Sequence, residues 1–408
     1  MIPVDYDLFS RAFKRDPFPT FAHMRQHAPI YRHVAPNGIA IWYITRYEDV
    51  AAVLKDERFV KDIFNALPPA DWGQIPHTDT LLQLINRNML FADPPDHTRL
   101  RALVSQAFTP RRVAQMAPRI QAIAHALLDR VAARGEMDLI EAYAYPLPLT
   151  VIMEMLGIPA ADQEEMRFWS QAIIAAGSHG ISYRQRKQRI RALVDYLGRT
   201  FAARRVQPED DLITALVQAE QAGDRLTETE LSSMAVLLLV TGHETTVNLI
   251  GNGAHTLLTH PPQRALAQAN PAILETAVDE LLRFDGPVET STTRWAREDV
   301  LFRGHLIQRG DVVRVVLASA NRDPAQFDHP DVCDLRREDN RHLAFGLGIH
   351  YCLGAPLARL EGQIALQTLL ARFPDVRLAA PADLTWRSGV LFRGLKRLPL
   401  VWSQTAAH

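Results

Sequence analysis

The residues best suited to chemistry gather around one cysteine. Cys352 lies in Phe345-Gly346-Leu347-Gly348-Ile349-His350-Tyr351-Cys352-Leu353-Gly354. Glycine lets a backbone take positive φ or approach a flat ligand closely. Beyond Cys352 the pattern turns helical, with Leu357, Leu360 and Ile364 on one face, so this sulfur is expected at the mouth of a helix. The dipole and free N–H groups there favour a thiolate over a thiol. No partner Cys or His stands at metal-finger spacing, and a lone thiolate in a glycine-lined loop suits one axial ligand of a haem iron. An isolated Cys is more often a buried packing residue. The surrounding ten-residue pattern reverses that preference for Cys352, whereas Cys333 is read as a packing residue.

A second group is Thr241-Gly242-His243-Glu244-Thr245-Thr246. Gly and Thr are poor helix-interior residues. A Thr hydroxyl can bond back to the i−4 carbonyl and bend the helix, and such sites often host π-bulges. Beside an oxygen-binding metal, Thr245 can hold a water and Glu244 can connect the site to solvent protons. Taken alone, these side chains fit equally well as ordinary satisfied or exposed polar groups. A third group is Glu280-x-x-Arg283, which shares a helix face. Its default reading is a solvated pair worth under about 1 kcal/mol.

The elements that position these groups are mostly helical. Tyr31 to Val34 and Ile39 to Ile44 flank Pro36-Asn37-Gly38, a hairpin signal. A helix is expected from Asp96 to just before Pro110, with others over residues 111–134, 160–177 and 185–205. Thr227-x-x-Glu230 is a capping box, and helical character continues to His260, where Pro261-Pro262 end it. That makes a rod of about 33 residues and roughly 50 Å, long enough to cross a whole core and apolar all round in its middle half. Strand signals return in Val288 to Trp295, Val300 to Phe302, Val312 to Leu317 and the C-terminal tail. The fold class expected is mainly α with a smaller β part, in one domain over residues 1–408, because no repeat, linker or charge run divides the chain.

Composition narrows the function classes. Among 408 residues, 47% are apolar and 22% charged, and 45 basic against 46 acidic residues leave −1. That excludes a disordered or low-complexity chain and gives no global pull toward nucleic acid or acidic lipid. Two cysteines are too few for a disulfide framework. The start MIPVDYDLFSRAF has no apolar h-region, and the most apolar stretch, Met234 to Val240, is far short of the 20 or so residues a spanning helix needs. A cytoplasmic protein with no membrane partner is expected.

Phe345-Gly346-x-Gly348-x-His350-x-Cys352-x-Gly354, followed by Leu357-Ala358-Arg359, resembles the haem-binding signature of the cytochrome P-450 family. It matches at every fixed position, and the other family motifs follow in order, so the resemblance covers essentially the whole chain. It implies the cytochrome P-450 fold, with the long central helix crossing over a haem b held by Cys352, a metal ligand known for this family. It implies that Glu244 and Thr245 form the acid–alcohol pair of oxygen activation. Thr241 stands where the family commonly has Ala, which either narrows the oxygen groove or adds a hydrogen bond. It turns Glu280 and Arg283 into a buried structural network with Arg337. It makes His97 and Arg101, in H-T-R-L-R, propionate ligands together with Arg294 and His350. Planar Arg forks suit such carboxylates.

Substrate contacts are implied in the loop 62–90, near 165–190, at Leu237, Val240 and Thr241, in Val288 to Thr292, and at Val390 and Leu391. These are mainly apolar, and Gly286 to Arg294 looks like bacterial members that oxidise macrolide, terpenoid or steroid scaffolds. The activity implied is insertion of one oxygen atom from O2 into a small apolar molecule, by hydroxylation or epoxidation. The chain carries no dinucleotide fingerprint and no four-Cys iron–sulfur spacing. Electrons are therefore expected from a soluble ferredoxin or flavodoxin with its reductase, docked against Arg111, Arg112, Arg341 and Arg359 of a monomer. The alternatives are a peroxide-driven enzyme of the same fold and a non-catalytic haem sensor. No base or orienting group near Cys352 supports a thiol hydrolase.

Overall fold

The computed structural model describes residues 5–35, 38–74, 85–174, 181–221, 226–380 and 384–403. They form two compact units: residues 1–69, 117–146 and 245–408 in the first, and 70–116 and 147–244 in the second. The turn residues Pro36 and Asn37, and parts of the expected substrate regions 62–90 and 165–190, lie outside the described residues.

The first unit holds the strands. β1 (Ile30–Val34) and β2 (Ala40–Ile44) pair antiparallel with Val34 opposite Ala40, as the flanking apolar runs predict. The sheet continues with β3 (Phe59–Val60), β5 (Arg294–Ala296) and β8 (Val312–Val315) in the order β1-β2-β8-β5-β3. β2 and β8 run parallel. Trp42, Ile44, Val50, Phe59, Val313 and Val315 bury one apolar cluster on it. β4 (Glu136–Asp138), β9 (Arg377–Leu378) and β10 (Pro399–Val401) make a second small sheet, and β6 (Val300–Phe302) with β7 (His305–Ile307) a hairpin.

The expected strand over Val288 to Trp295 is corrected. Only its end enters β5, while Val288 makes a single isolated bridge to Phe392. Its neighbours are pinned one by one: Glu289 N–H donates to Leu391 O at 2.9 Å and Ser291 N–H to Val315 O at 2.9 Å. Val312 to Leu317 is likewise shorter as a strand, because Leu317–Ala320 winds into a helical turn.

The second unit is helical. Asp96–Ala107 begins and ends as expected, and Tyr183–Val206 is 24 residues capped by Ser182 and Gln185. The expected helix 111–134 divides into Pro110–Gln115 and Ala117–Ala132, the latter in the first unit. Of the expected 160–177 helix, Ala160–Asp162 is a 3-10 turn and Gln163–Ile174 is α-helical, while residues 175–177 lie outside the described residues. The long helix spans Glu228–Thr259, 32 residues, of which those from Thr245 on belong to the first unit. Its capping box is formed, with Thr227 N–H donating to Glu230 Oε2 at 2.8 Å and Glu230 N–H to Thr227 Oγ1 at 3.2 Å. No π-bulge interrupts it; the wide turn is instead at Ile140–Ala144.

Gly157 ends the helix Pro146–Met155 and sits at φ 76°. A Cβ there would fall 2.0 Å from Asp211 Oδ2, the carboxylate that holds Arg204 at 2.6 Å. Gly157→Ala is expected to destabilise the protein by about 1–3 kcal/mol, through left-handed backbone strain and a displaced ion pair. Urea unfolding of the variant against the wild type checks this.

Candidate active site

Cys352 is placed by backbone geometry. Gly346 and Gly348 take φ 71° and 77°, and a Cβ at Gly348 would approach Leu54 O to 2.9 Å, so both the turn and the close approach need glycine. The Cys352 amide donates to Phe345 O at 2.9 Å, closing the loop. Gly354 then caps Ala355–Arg372, 18 residues long. The thiol is exposed and in no disulfide. Cys333 is the opposite case. It is buried, and burial pushes its thiol up to about 12, so it stays protonated and packs.

The loop is anchored on the helix Leu274–Asp285 by a residue that the sequence reading missed. Asp279 accepts from His342 Nε2 and from Arg359 Nε, both at 2.8 Å. Burial alone would raise this carboxyl, but the two hydrogen bonds outweigh it and hold it below the ordinary range. Arg359 also stacks 4.5 Å from the Phe345 ring centre. The signal available was only an acid adjacent to Glu280.

Glu280 itself points the other way. Arg283 forks onto it with both bonds at 2.7 Å, Arg337 Nε donates at 3.1 Å, and Asp334 N–H and Asn340 Nδ2 complete the set. The Glu280 and Arg283 side chains are 1% and 0% exposed, so this is no solvated pair. Arg283 also donates to the carbonyls of Asn321, Pro330 and Val332.

On the long helix, Glu244 is buried and Thr245 half-buried. Leu237 is buried, Val240 half-buried, and the Thr241 hydroxyl donates to Leu237 O at 2.7 Å. That is the i−4 bond expected of a helical Thr. In the first unit, Val288 meets Phe392 and the Thr290 hydroxyl donates to Val390 O at 3.0 Å, so the segments carrying Val288, Val390 and Leu391 lie side by side. Arg294 is buried and donates to Phe59 O at 3.1 Å, and His350 ends a short 3-10 turn. In the second unit, His97 and Arg101 share one helix. Burial, then the charge of Arg101, holds His97 below its usual range and favours its neutral form.

The comparisons with known proteins agree with this arrangement. A family model described as "Cytochrome P450" matches residues 267–376. "Polyketide biosynthesis cytochrome P450 PksS" of Bacillus subtilis (strain 168) is 42% identical over 97% of this chain and 98% of that protein. Its solved structure matches with a TM-score of 0.91, covering 98% of this chain and 100% of the other. The chain belongs to the cytochrome P-450 family. "Cytochrome P450 monooxygenase PikC" of Streptomyces venezuelae is 43% identical over 98% of this chain and 94% of that protein. "Mycinamicin IV hydroxylase/epoxidase" of Micromonospora griseorubida is 40% identical over 94% of each.

The protein is thus a monooxygenase that uses O2 on a small organic molecule, with haem b as cofactor; the sensor reading is set aside. The residues present fit that cofactor. Among the described residues no three His, Cys, Asp or Glu gather to hold a metal ion, whereas a macrocycle leaves the protein only an axial position to supply. An exposed sulfur at a helix mouth in a loop thinned by glycine can fill it.

A further missed residue is Glu361, wholly buried on the helix that follows Cys352. Neither carboxyl oxygen has a well-formed hydrogen bond. Burial pushes the group up to about 8, against a smaller opposing pull from the Thr246 side chain. The folded protein therefore keeps a proton that the unfolded chain releases near its ordinary carboxylate pKa. This group's effect is to lower stability as pH rises between those two values. Glu361→Gln removes the titration. Relative to that variant, the wild type is expected to lose more than about 1 kcal/mol between about pH 5.5 and pH 8. Urea unfolding of both proteins at the two pH values measures it.

Proposed function

We propose that this protein is a cytoplasmic haem-thiolate monooxygenase of bulky, apolar, polyketide-type molecules, with residues 1–408 as one catalytic domain. The observation that carries the reading is Cys352, an exposed thiol with its amide pinned to Phe345 O at the start of a helix. When bound, haem b supplies reductive activation of O2 and insertion of one oxygen atom into the substrate. Cys352 Sγ would be the iron ligand, with Phe345 and Gly354 shaping its loop. His97, Arg101, Arg294 and His350 would hold the propionates by charge and hydrogen bonding.

Glu244 would bring protons from solvent, and Thr245 Oγ1 would hold a water that passes them on. A peroxide-driven enzyme needs no such relay, so this pair favours the O2-driven reading. Leu237, Val240, Thr241, Val288, Val390 and Leu391 would line the substrate pocket with mainly apolar surface. The names of two relatives, one in polyketide biosynthesis and one a mycinamicin IV hydroxylase/epoxidase, support a macrolide or related scaffold.

The long helix reads as a core helix and not as a membrane span. Among the described residues it alone is apolar and long enough to cross a membrane, and 78% of its apolar window is buried. Electrons would come from a soluble ferredoxin or flavodoxin with its reductase, acting on a monomer. Of the four arginines expected to dock it, Arg359 is already committed to Asp279 and Phe345, and Arg112 pairs with Asp210 at 2.5 Å. Arg111 and Arg341 are exposed.

Two experiments test this reading. Cys352→Ser is expected to abolish the red-shifted thiolate band of the reduced carbonyl adduct, while Cys333→Ser keeps it; a band that survives in Cys352→Ser overturns the ligand assignment. With the haem spectrum intact, Arg111→Glu with Arg112→Glu is expected to cut ferredoxin-dependent turnover at least about tenfold, in keeping with the weight of charge steering in such encounters. Unchanged turnover removes both residues from the docking face.

A further inference from the structure

We propose that the buried Lys14–Glu289 ion pair is a positioning device that sets the two proposed substrate-lining segments, Val288–Thr292 and Val390–Leu391, and thereby the shape of the pocket above the haem. This rests on the substrate reading given under the proposed function.

Lys14 lies in the five-residue helix Arg11–Arg15. Its Nζ meets Glu289 Oε2 at 2.5 Å, with side chains 4% and 1% exposed. A lysine this buried is a poor investment in stability, because desolvating two charges offsets most of their attraction. The best-attested use of such a pair is to fix a register. Burial pushes the Lys14 ammonium down and the Glu289 carboxyl up, each opposed by the other's charge. Neither ion is at ease there without its partner.

The surroundings show what is registered. Glu289 stands between Val288 and Thr290, and the Thr290 hydroxyl donates to Val390 O at 3.0 Å. Holding the Glu289 side chain on Lys14 therefore fixes the backbone from Val288 to Thr290, where the Ala318 amide also donates to Glu289 O at 3.1 Å. Glu289 N–H donates to Leu391 O at 2.9 Å, and Arg393 N–H to Pro287 O at 2.9 Å. These rungs tie the first segment to the second.

Lys14 grips the second segment too. Its carbonyl accepts from Arg393 Nη1 at 2.8 Å, and its Nζ donates to Phe392 O at 3.4 Å. Arg393 is in turn paired with Asp285 at 2.5 Å. Asn252 Nδ2, from the long helix, donates to the carbonyls of both Asp285 and Arg393 at 3.1 Å. Two cations and two anions are thus buried together, and the Lys14–Glu289 pair ties the N-terminal helix to the side chain between Val288 and Thr290.

The test uses the full-length holoenzyme and a graded series of imidazoles, from imidazole itself to a trityl-substituted one, whose nitrogen binds iron from the substrate side and shifts the haem spectrum. The wild type must first show the thiolate band with carbon monoxide; its absence would sink the haem-thiolate reading and not this one. Lys14→Met and Glu289→Gln are each expected to weaken the bulky azole at least about tenfold, while imidazole and the carbonyl band stay as in the wild type. Lys14→Arg, which keeps the charge, is expected to stay within about threefold. Unchanged bulky-azole binding in both charge-removing variants overturns the proposal. So does parallel loss of imidazole binding or of the carbonyl band in them, because the pair would then be structural only.

Discussion

On the proposed function, the rest of the structure depends on presenting one sulfur atom, that of Cys352, to an iron. A thiolate is costly to hold in an apolar interior and useless if solvated freely, so it needs a site where backbone dipoles stabilise its charge without burying it. The loop Phe345–Gly354 would meet that need with main chain alone. Two glycines in left-handed conformation carry the turn, one amide–carbonyl bond closes it, and the following helix offers its positive end. The second cysteine, lacking all of this, is a buried neutral thiol.

Phe345 and Leu347 of this loop pack against apolar clusters, and ionic contacts add to that anchoring. Two adjacent acids on the helix Leu274–Asp285 divide the task. Asp279 holds the loop through His342 and Arg359, while Glu280 draws Arg283, Arg337, Asn340 and the Asp334 amide inward. Each acid is matched by several donors, which is the condition under which buried charge is tolerated. The long helix adds a different constraint. It carries Glu244 and Thr245 in an unbroken ladder, with the Thr241 hydroxyl satisfied by its own helix.

Much of this was legible in the residues. The capping box at Thr227 and Glu230, the proline stop after His260 and the hairpin of β1 and β2 follow from local rules. The glycine spacing announced the cysteine loop. What was not legible depends on partners far away in sequence. Val288 to Trp295 has the alternation of a strand, yet its Glu289 amide finds a loop a hundred residues on, its Ser291 amide finds Val315, and only its end joins the sheet. Lys14 and Glu289 are 275 residues apart. Glu361 looks like any acid beside a helical Arg until its burial is seen. The π turn at Ile140–Ala144 has no local signature; it lies where a side chain at Gly251 would reach Ile140 Cδ1 at 2.7 Å.

The contrast between the two thiols also decides where oxidative damage can strike. Oxidants attack thiolates that solvent can reach, and Cys333 is neither ionised nor accessible. Sulfenic acid formation and further oxidation are therefore channelled to position 352, where, on the proposed ligation, the lesion would cost the protein its iron. On that ligation the prosthetic group, once seated, would also shield the atom that retains it, and chains that wait too long for their haem would be the ones exposed to irreversible loss.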